Sequence, residues 1–192
     1  LNALWLVTPN VAEAEALLRR AFSGRKRVLG NADLDTAIAC NNLASNLNRQ
    51  GRPREAEPLL REALTICKAA VGDDHSTTAI FCNNLAVNLM SQGNFVAAEP
   101  YYRQALAIRH NRSGDDALDT ALSCANLAAN LHSQGKWGEA EALARKALAI
   151  RSQALGDNHP STAVARRNVA NILSSQERFE EAEKLCRQAL EV

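Results

Sequence analysis

The sequence predicts an all-α fold made of stacked antiparallel helix pairs, and two observations lead to this prediction. The first is an internal repeat, because residues of one type recur every 42 positions along the chain. The recurring series include Thr36, Thr78, Thr120 and Thr162, and Asn42, Asn84, Asn126 and Asn168. The second is that apolar residues within each repeat follow the spacing of one helical face. Each repeat is therefore interpreted as two helices.

The repeat divides the chain into one partial unit, three full units and one shortened unit. The partial unit covers residues 1–34, the full units cover 35–76, 77–118 and 119–160, and the shortened unit covers 161–192. We interpret these units as a single domain spanning residues 1–192, with an incomplete unit at each end.

The first helix of a unit is predicted to open near Asp35 or Thr36. The side-chain oxygens of these residues can accept hydrogen bonds from the free N–H groups of a first turn. The apolar face of the helix follows, at Cys40, Leu43, Ala44 and Leu47. We expect a residue in the left-handed backbone conformation to end the helix. The residues at that position are Gly51, Gly93, Gly135 and, in the last unit, Glu177.

The second helix of a unit carries its own apolar face, and a polar loop at 72–76 separates it from the next unit. That face consists of Ala56, Leu59, Leu60, Ala63, Leu64 and Ile66. Alanine recurs at Ala44, Ala56 and Ala63 and their equivalents, and such small side chains let helices approach closely.

The spacing of these apolar and small residues resembles that of the tetratricopeptide repeat. The 42-residue period and the segment LGDNHPSTA at 155–163 resemble the kinesin light chain type of that repeat, and the resemblance covers nearly the whole chain. It departs from the pattern at Pro53, where other units have an aromatic residue, and at Ala117 and Leu118, where the loop lacks histidine and proline. The resemblance implies a right-handed superhelical solenoid whose first helices line a concave groove for an extended peptide or a partner helix.

Composition and motifs exclude several other functions. The net charge of +1 gives no long-range attraction to nucleic acid or to an anionic membrane. The sequence has no phosphate-binding glycine loop, no HExxH helix and no nucleophile elbow. We therefore expect a binding scaffold that is not an enzyme and that uses no cofactor, with a protein or peptide partner.

The predicted groove lies on one stripe of the first helices, distinct from the stripe that packs inward. It consists of Ile38, Asn41, Asn42, Ser45, Arg49, Asn83, Asn84, Val87, Asn126, Ala129, Ser133, Arg167, Asn168 and Asn171. Arg49, Arg109, Arg166 and Arg167 are candidates for contact with an acidic ligand, and only Arg49 and Arg167 belong to the predicted stripe.

Asparagine is the most informative residue in this stripe, because inside a helix it costs about 0.6 kcal/mol relative to alanine. Two interpretations stay open for the row that begins at Asn42. Its amides either bind the backbone of a peptide ligand or bond to each other and to adjacent helix ends. For the second row, Asn46, Asn88 and Asn130, the spacing favours structural bonding between repeats.

Three further features favour structural explanations. Five cysteines without a close pair are expected to be buried and reduced, as in a cytoplasmic protein. Glu–Arg pairs four residues apart, from Glu15 and Arg19 onward, are expected on a solvated outer face. His75 and His159 are expected to cap turns and not to bind metal.

An alternative function is self-association through the solenoid ends, because uncapped repeats expose apolar surface.

Overall fold

The computed structural model describes residues 11–30 and 32–190, and for residues 11–13 only the backbone. The described residues form helices with no strand. The helices are α1 (Val11–Leu29), α2 (Leu34–Arg49), α3 (Pro53–Val71), α4 (Ser76–Ser91), α5 (Phe95–Ser113), α6 (Leu118–Ser133), α7 (Trp137–Leu155), α8 (Pro160–Ser175) and α9 (Phe179–Leu190). The all-α prediction is confirmed for this part of the chain.

The helices alternate between two lengths in step with the sequence repeat. The first helices α2, α4, α6 and α8 each have 16 residues. The second helices α1, α3, α5 and α7 each have 19 residues. The partial unit extends into residues 1–10, and the shortened unit into residues 191–192, both outside the described residues.

The chain divides into two compact units, residues 1–92 and 93–192. The first compact unit contains α1 to α4, and the second contains α5 to α9. The boundary falls between the two helices of the second repeat. The single domain expected from the sequence stays a prediction.

The core of each compact unit is built from small and medium aliphatic side chains. In the first compact unit, Ala44, Ala56 and Ala63 are completely buried, and the side chains of Leu43 and Leu47 are only 1% exposed. Alanine at these positions lets α2 and α3 pack closely. The apolar faces predicted for the two helices are therefore confirmed.

The predicted start of the first helix is wrong in its detail. Helix α2 begins at Leu34, and the side chain of Asp33 caps it by accepting from the N–H of Asp35. Thr36 lies inside the first turn, where its buried hydroxyl donates to the carbonyl oxygen of Gly30 at 3.0 Å. The threonine series thus ties each first helix to the turn before it. The same bond joins Thr78 to Gly72, Thr120 to Gly114 and Thr162 to Gly156.

The loop histidines cap helices, as the sequence predicted. Nδ1 of His75 accepts from the N–H of Thr77, and Nδ1 of His159 accepts from the N–H of Ser161. Helix α6 has Ala117 at this position and lacks a side-chain cap. No group of three or more metal-ligating side chains lies together among the described residues.

The turn after each first helix has the expected left-handed backbone. Gly51, Gly93 and Gly135 have φ values of 73°, 78° and 76°. Glu177 takes the same conformation in the last repeat with φ at 62°, although a side chain is disfavoured there. Pro53 does not disturb α3, because it is the first helical residue and needs no N–H partner.

The cysteines are free thiols, and most lie in the core as predicted. Cys40, Cys67, Cys82 and Cys124 are buried, whereas Cys186 is half-buried. Burial raises the pKa of Cys40 to about 12 and that of Cys82 to about 11. None of the described helices is both long and apolar enough to cross a membrane.

Candidate ligand surface on the first helices

Four positions recur on the outward-facing side of the first helices and define the candidate surface in each compact unit. The first position holds Ile38, Ile80, Leu122 and Val164; the second, which we name the outer asparagine row, holds Asn42, Asn84, Asn126 and Asn168. The third holds Ser45, Val87, Ala129 and Asn171, and the fourth holds Arg49, Ser91, Ser133 and Ser175. All sixteen side chains are exposed or half-buried.

The outer asparagine row differs in its bonding from helix to helix. Asn42 is exposed, and neither Asn42 nor Asn168 makes a side-chain hydrogen bond with another described residue. Nδ2 of Asn84 donates to Oδ1 of Asn41 at 3.0 Å. Asn41 is only 7% exposed and offers little surface to a ligand. Part of the row therefore connects neighbouring helices, and part is open.

A row of exposed aliphatic side chains lies one helical turn before the outer asparagines. Ile80 is 48% exposed, Leu122 39% and Val164 41%, whereas Ile38 is half-buried. The groove predicted from the sequence included only Ile38 from this row. The signal for the other three was present, because they follow Ile38 at the repeat interval. These side chains give the surface an apolar edge beside its amides.

The inner asparagine row, Asn46, Asn88 and Asn130, is buried, and Asn88 and Asn130 have no exposed area. Nδ2 of Asn88 donates to the carbonyl oxygen of Pro53 at 2.8 Å, at the start of the preceding second helix. Nδ2 of Asn130 donates in the same way to the carbonyl oxygen of Phe95 at 3.0 Å. The structural interpretation, with bonding between repeats, is confirmed for Asn88 and Asn130, whereas Oδ1 of Asn46 accepts from Gln50 of its own repeat.

A glutamine and a glutamate extend the contact made by each inner asparagine. Nε2 of Gln134 lies 2.8 Å from Oδ1 of Asn130 and 2.9 Å from Oε2 of Glu99 in the preceding repeat. Gln92 makes the equivalent bonds to Asn88 and Glu57. These bonds hold one repeat against the next within each compact unit.

The expectation that the Glu–Arg pairs lie on a fully solvated face is wrong for the glutamates. The i,i+4 pairs form, for example between Arg103 and Glu99, but the side chain of Glu99 is only 15% exposed. A hydrogen bond from Lys136, aided by Gln134 and Arg103, lowers the pKa of Glu99 to about 2. Sequence spacing revealed the pair within one helix but not the partners from the next repeat.

Two of the four candidate arginines are available to a ligand. Arg49 and Arg167 are exposed and make no hydrogen bond or ion pair with any described residue. Arg109 donates to Oγ of Ser123, and the buried Arg166 donates to the backbone and carboxylate of Asp157. The latter two stabilise helix contacts.

One further contact on this surface was missed by sequence reasoning. Nε2 of His132 on α6 lies 2.7 Å from Oγ of Ser175 on α8. The two residues occupy different positions in their repeats, so the 42-residue spacing gave no signal for the pair.

These observations define a protein made of repeated helix pairs. Buried side chains of the inner asparagine row join the repeats, and exposed side chains of the first helices are accessible to a ligand. The chain belongs to the tetratricopeptide repeat family, whose model matches residues 10–69, 35–112, 76–151 and 120–192. Proteins of this family are generally protein-interaction scaffolds and not enzymes. A search of curated proteins found no match.

Solved structures with the same fold include kinesin light chain-like proteins. A Podosopora anserina protein, described as kinesin light chain nearly identical TPR-like repeats, has a TM-score of 0.83 and 22% identity, covering 93% of this chain and 85% of that one. BtubC (BKLC) from P. vanneervenii has a TM-score of 0.85 and 26% identity, covering 95% and 73%. YrrB, described as a TPR protein with an unusual peptide-binding site, has a TM-score of 0.64 and 18% identity, covering 95% and 81%.

Proposed function

We propose that this protein is an interaction scaffold whose first helices bind an extended peptide or a partner helix. The observation that carries the proposal is the difference between the two asparagine rows. The inner row is buried and bonded between repeats, whereas Asn42 and Asn168 have side-chain amides open to a ligand. An open amide in a helix costs stability, and a bound peptide backbone offers it both a donor and an acceptor.

The neighbouring positions would select the side chains of the ligand. The exposed aliphatic row, represented by Ile80 and Leu122, suits apolar ligand side chains. Arg49 and Arg167 suit carboxylates, so we include a preference for acidic peptides in the proposal. The four buried thiols suit a reducing, cytoplasmic compartment. The description of YrrB supports the proposal only through its fold, because its identity to this chain is 18%.

A peptide-array screen with the intact chain, followed by steric blocking, tests this function. Ala129→Arg places a long side chain on the first-helix surface of the second compact unit, and Val87→Arg does so in the first. The matched controls are Ala149→Arg and Ala70→Arg, at exposed positions on second helices. Loss of peptide binding in the first pair but not in the controls supports the proposal. Equal binding by all four variants would contradict it.

A further inference from the structure

An open cavity of about 330 Å³ lies between the second helices α5 and α7 of the second compact unit. Leu106 and Ala107 of α5 and Leu143 of α7 line its walls, and the buried Cys124 and Leu127 of α6 form its floor. An engineered cavity of about 150 Å³ holds a benzene ring, so this volume is sufficient for a ring with a short side arm. None of the sixteen side chains of the first-helix surface lines the cavity, so the two are separate.

Ion pairs between α5 and α7 mark the two ends of the cavity. At one end, Nη2 of Arg103 lies 2.7 Å from Oε1 of Glu139. At the other end, Nδ1 of His110 and Nζ of Lys146 both contact Oδ1 of Asp115, the former at 3.0 Å. The two ends are seven residues apart on α5, which is about 10 Å along the helix axis.

The end at His110 and Lys146 retains hydrogen-bond donors for an anion. The ammonium group of Lys146 has three N–H donors, and its partner among the described residues is Asp115. This hydrogen bond raises the pKa of Lys146, so the ammonium is charged at neutral pH. Nε2 of His110 makes no hydrogen bond within the described chain. Arg103, by contrast, is bonded to carboxylates of both α5 and α7.

The equivalent crevice of the first compact unit contains its own aromatic ring and carboxylate. The equivalent residues are Phe22, Lys26 and Glu62, in the places of Leu106, His110 and Lys146. Nζ of Lys26 donates to Oε1 of Glu62 at 2.8 Å and lies 5.4 Å from the centroid of the Phe22 ring. Ring, cation and carboxylate are therefore all supplied by the chain in that unit.

The second compact unit keeps the cationic character and lacks the other two groups. Leu106 has no ring, and Lys146 places an ammonium where the first unit has a carboxylate. We propose that this cavity is a binding site for a small aromatic carboxylate. Its ring lies between Leu106 and Leu143, and its carboxylate contacts Lys146 and His110.

The probe for this site is 3-phenylpropionate, with its neutral amide and the ring-free hexanoate as control compounds. A ligand-observed NMR titration of the full chain at pH 7 should give a Kd of about 1 mM or tighter, as expected for about eleven non-hydrogen atoms. The amide should bind at least about tenfold more weakly, because it cannot pair with an ammonium. Equal affinity for the amide or for hexanoate would overturn the ligand class. No binding of 3-phenylpropionate at about 10 mM would overturn the site.

Matched variants test whether the probe occupies this cavity. Leu106→Phe supplies the ring that Phe22 supplies in the first unit, and it should abolish binding. Leu148→Phe, at the equivalent position of α7, should retain it. Lys146→Gln should weaken binding about tenfold, whereas Lys184→Gln, at an exposed lysine of α9, should leave it unchanged.

A further variant tests the assigned position of the carboxylate. Asp115 competes with the ligand for the donors of Lys146 and His110, so Asp115→Asn should strengthen binding about threefold. Circular dichroism checks that each variant is folded. Affinity equal to that of the parent in a folded Leu106→Phe or Lys146→Gln chain would overturn the proposal. Weaker binding by a folded Asp115→Asn chain would also overturn it.

Discussion

The side-chain amide of Gln134 joins two repeats, with its Nε2 atom 2.9 Å from Oε2 of Glu99. The same nitrogen lies 2.8 Å from Oδ1 of Asn130, whose own amide reaches the carbonyl oxygen of Phe95. This chain of bonds accounts for an asparagine that helix propensity alone would disfavour. It separates the structural amides of the inner row from the open amides of the first-helix surface.

Substitution of the inner row should destabilise the protein. Asn130→Ala removes one hydrogen-bond partner of Gln134 and one of the carbonyl oxygen of Phe95, at a position with no exposed area. We expect the free energy of unfolding in urea to fall by about 1–3 kcal/mol, because buried polar groups lose their partners. A loss below about 0.5 kcal/mol would show that water or another side chain replaces the amide.

Acid should weaken the contact between repeats through Glu99. The folded pKa of Glu99 is about 2, against a reference value of 4.5, so the folded state favours the charged carboxylate. Its contribution to stability is therefore fully present above pH 4.5 and is lost as the pH falls from 4.5 through about 2. Urea unfolding of the parent and of Glu99→Gln at pH 7, 4 and 2.5 measures this contribution.

We expect the stability difference between the parent and Glu99→Gln to shrink steadily over that pH range. Lowered pKa values at Glu15 and Glu57, caused first by hydrogen bonds from Gln50 and Gln92, act in the same direction. They are present in both chains and cancel in the comparison. A difference that is constant with pH would contradict the assigned role of the carboxylate.

Replacement of Glu177 by glycine should stabilise the last turn. Glu177 has φ at 62°, a conformation that costs a residue with a side chain about 1 kcal/mol or more. Glu177→Gly relieves this cost, and we expect the free energy of unfolding to rise by about 0.5–1 kcal/mol. Gly135→Ala is the reverse control, at φ 76°, and should destabilise by a similar amount. A Glu177→Gly variant that is less stable than the parent, or a Gly135→Ala variant that is more stable, would refute the conformational explanation.

Thiol chemistry should distinguish one cysteine from the other four. Cys40, Cys67, Cys82 and Cys124 are buried, and burial raises their pKa values. The thiolate is the reactive form, so maleimide at pH 8 should modify Cys186 first and the others only after unfolding. Peptide mass spectrometry of the native and the urea-unfolded chain measures this order. Early modification of Cys40 would show that α2 opens readily.

The sequence predicted the helix pairs and their apolar faces because these features depend on local spacing. The 42-residue period placed Leu43, Ala44 and Ala56 correctly, and it predicted the inter-repeat role of Asn88. It misjudged Thr36, because whether a hydroxyl donates or accepts depends on the turn that precedes it in space. The period did not show that Gln134 covers Glu99, since the spacing of Glu99 and Arg103 indicated only a pair within one helix.

The sequence predicted which positions of the first helices form the candidate surface. It did not predict the burial and the hydrogen bonds of each side chain at those positions. Asn41 and Asn42 are adjacent in sequence, yet the structure buries the first and exposes the second. Asn84 and Asn42 are equivalent in the repeat, yet one is bonded to Asn41 and the other is open. Differences of this kind arise from neighbouring helices, and a repeat pattern averages over them.

The most direct test of the account measures peptide affinity and stability together in one variant. The double substitution Asn42→Ala and Asn168→Ala removes the two open amides, and Asn111→Ala, exposed on a second helix, is the control. If these amides serve a ligand, the free energy of unfolding of the double variant should be unchanged or should rise, by up to about 0.6 kcal/mol per site. The variant should bind array-selected peptides at least about tenfold more weakly, a loss of about 1.4 kcal/mol in binding free energy. Unchanged affinity in a folded double variant, or a clear loss of stability, would contradict the assignment of these amides to a ligand.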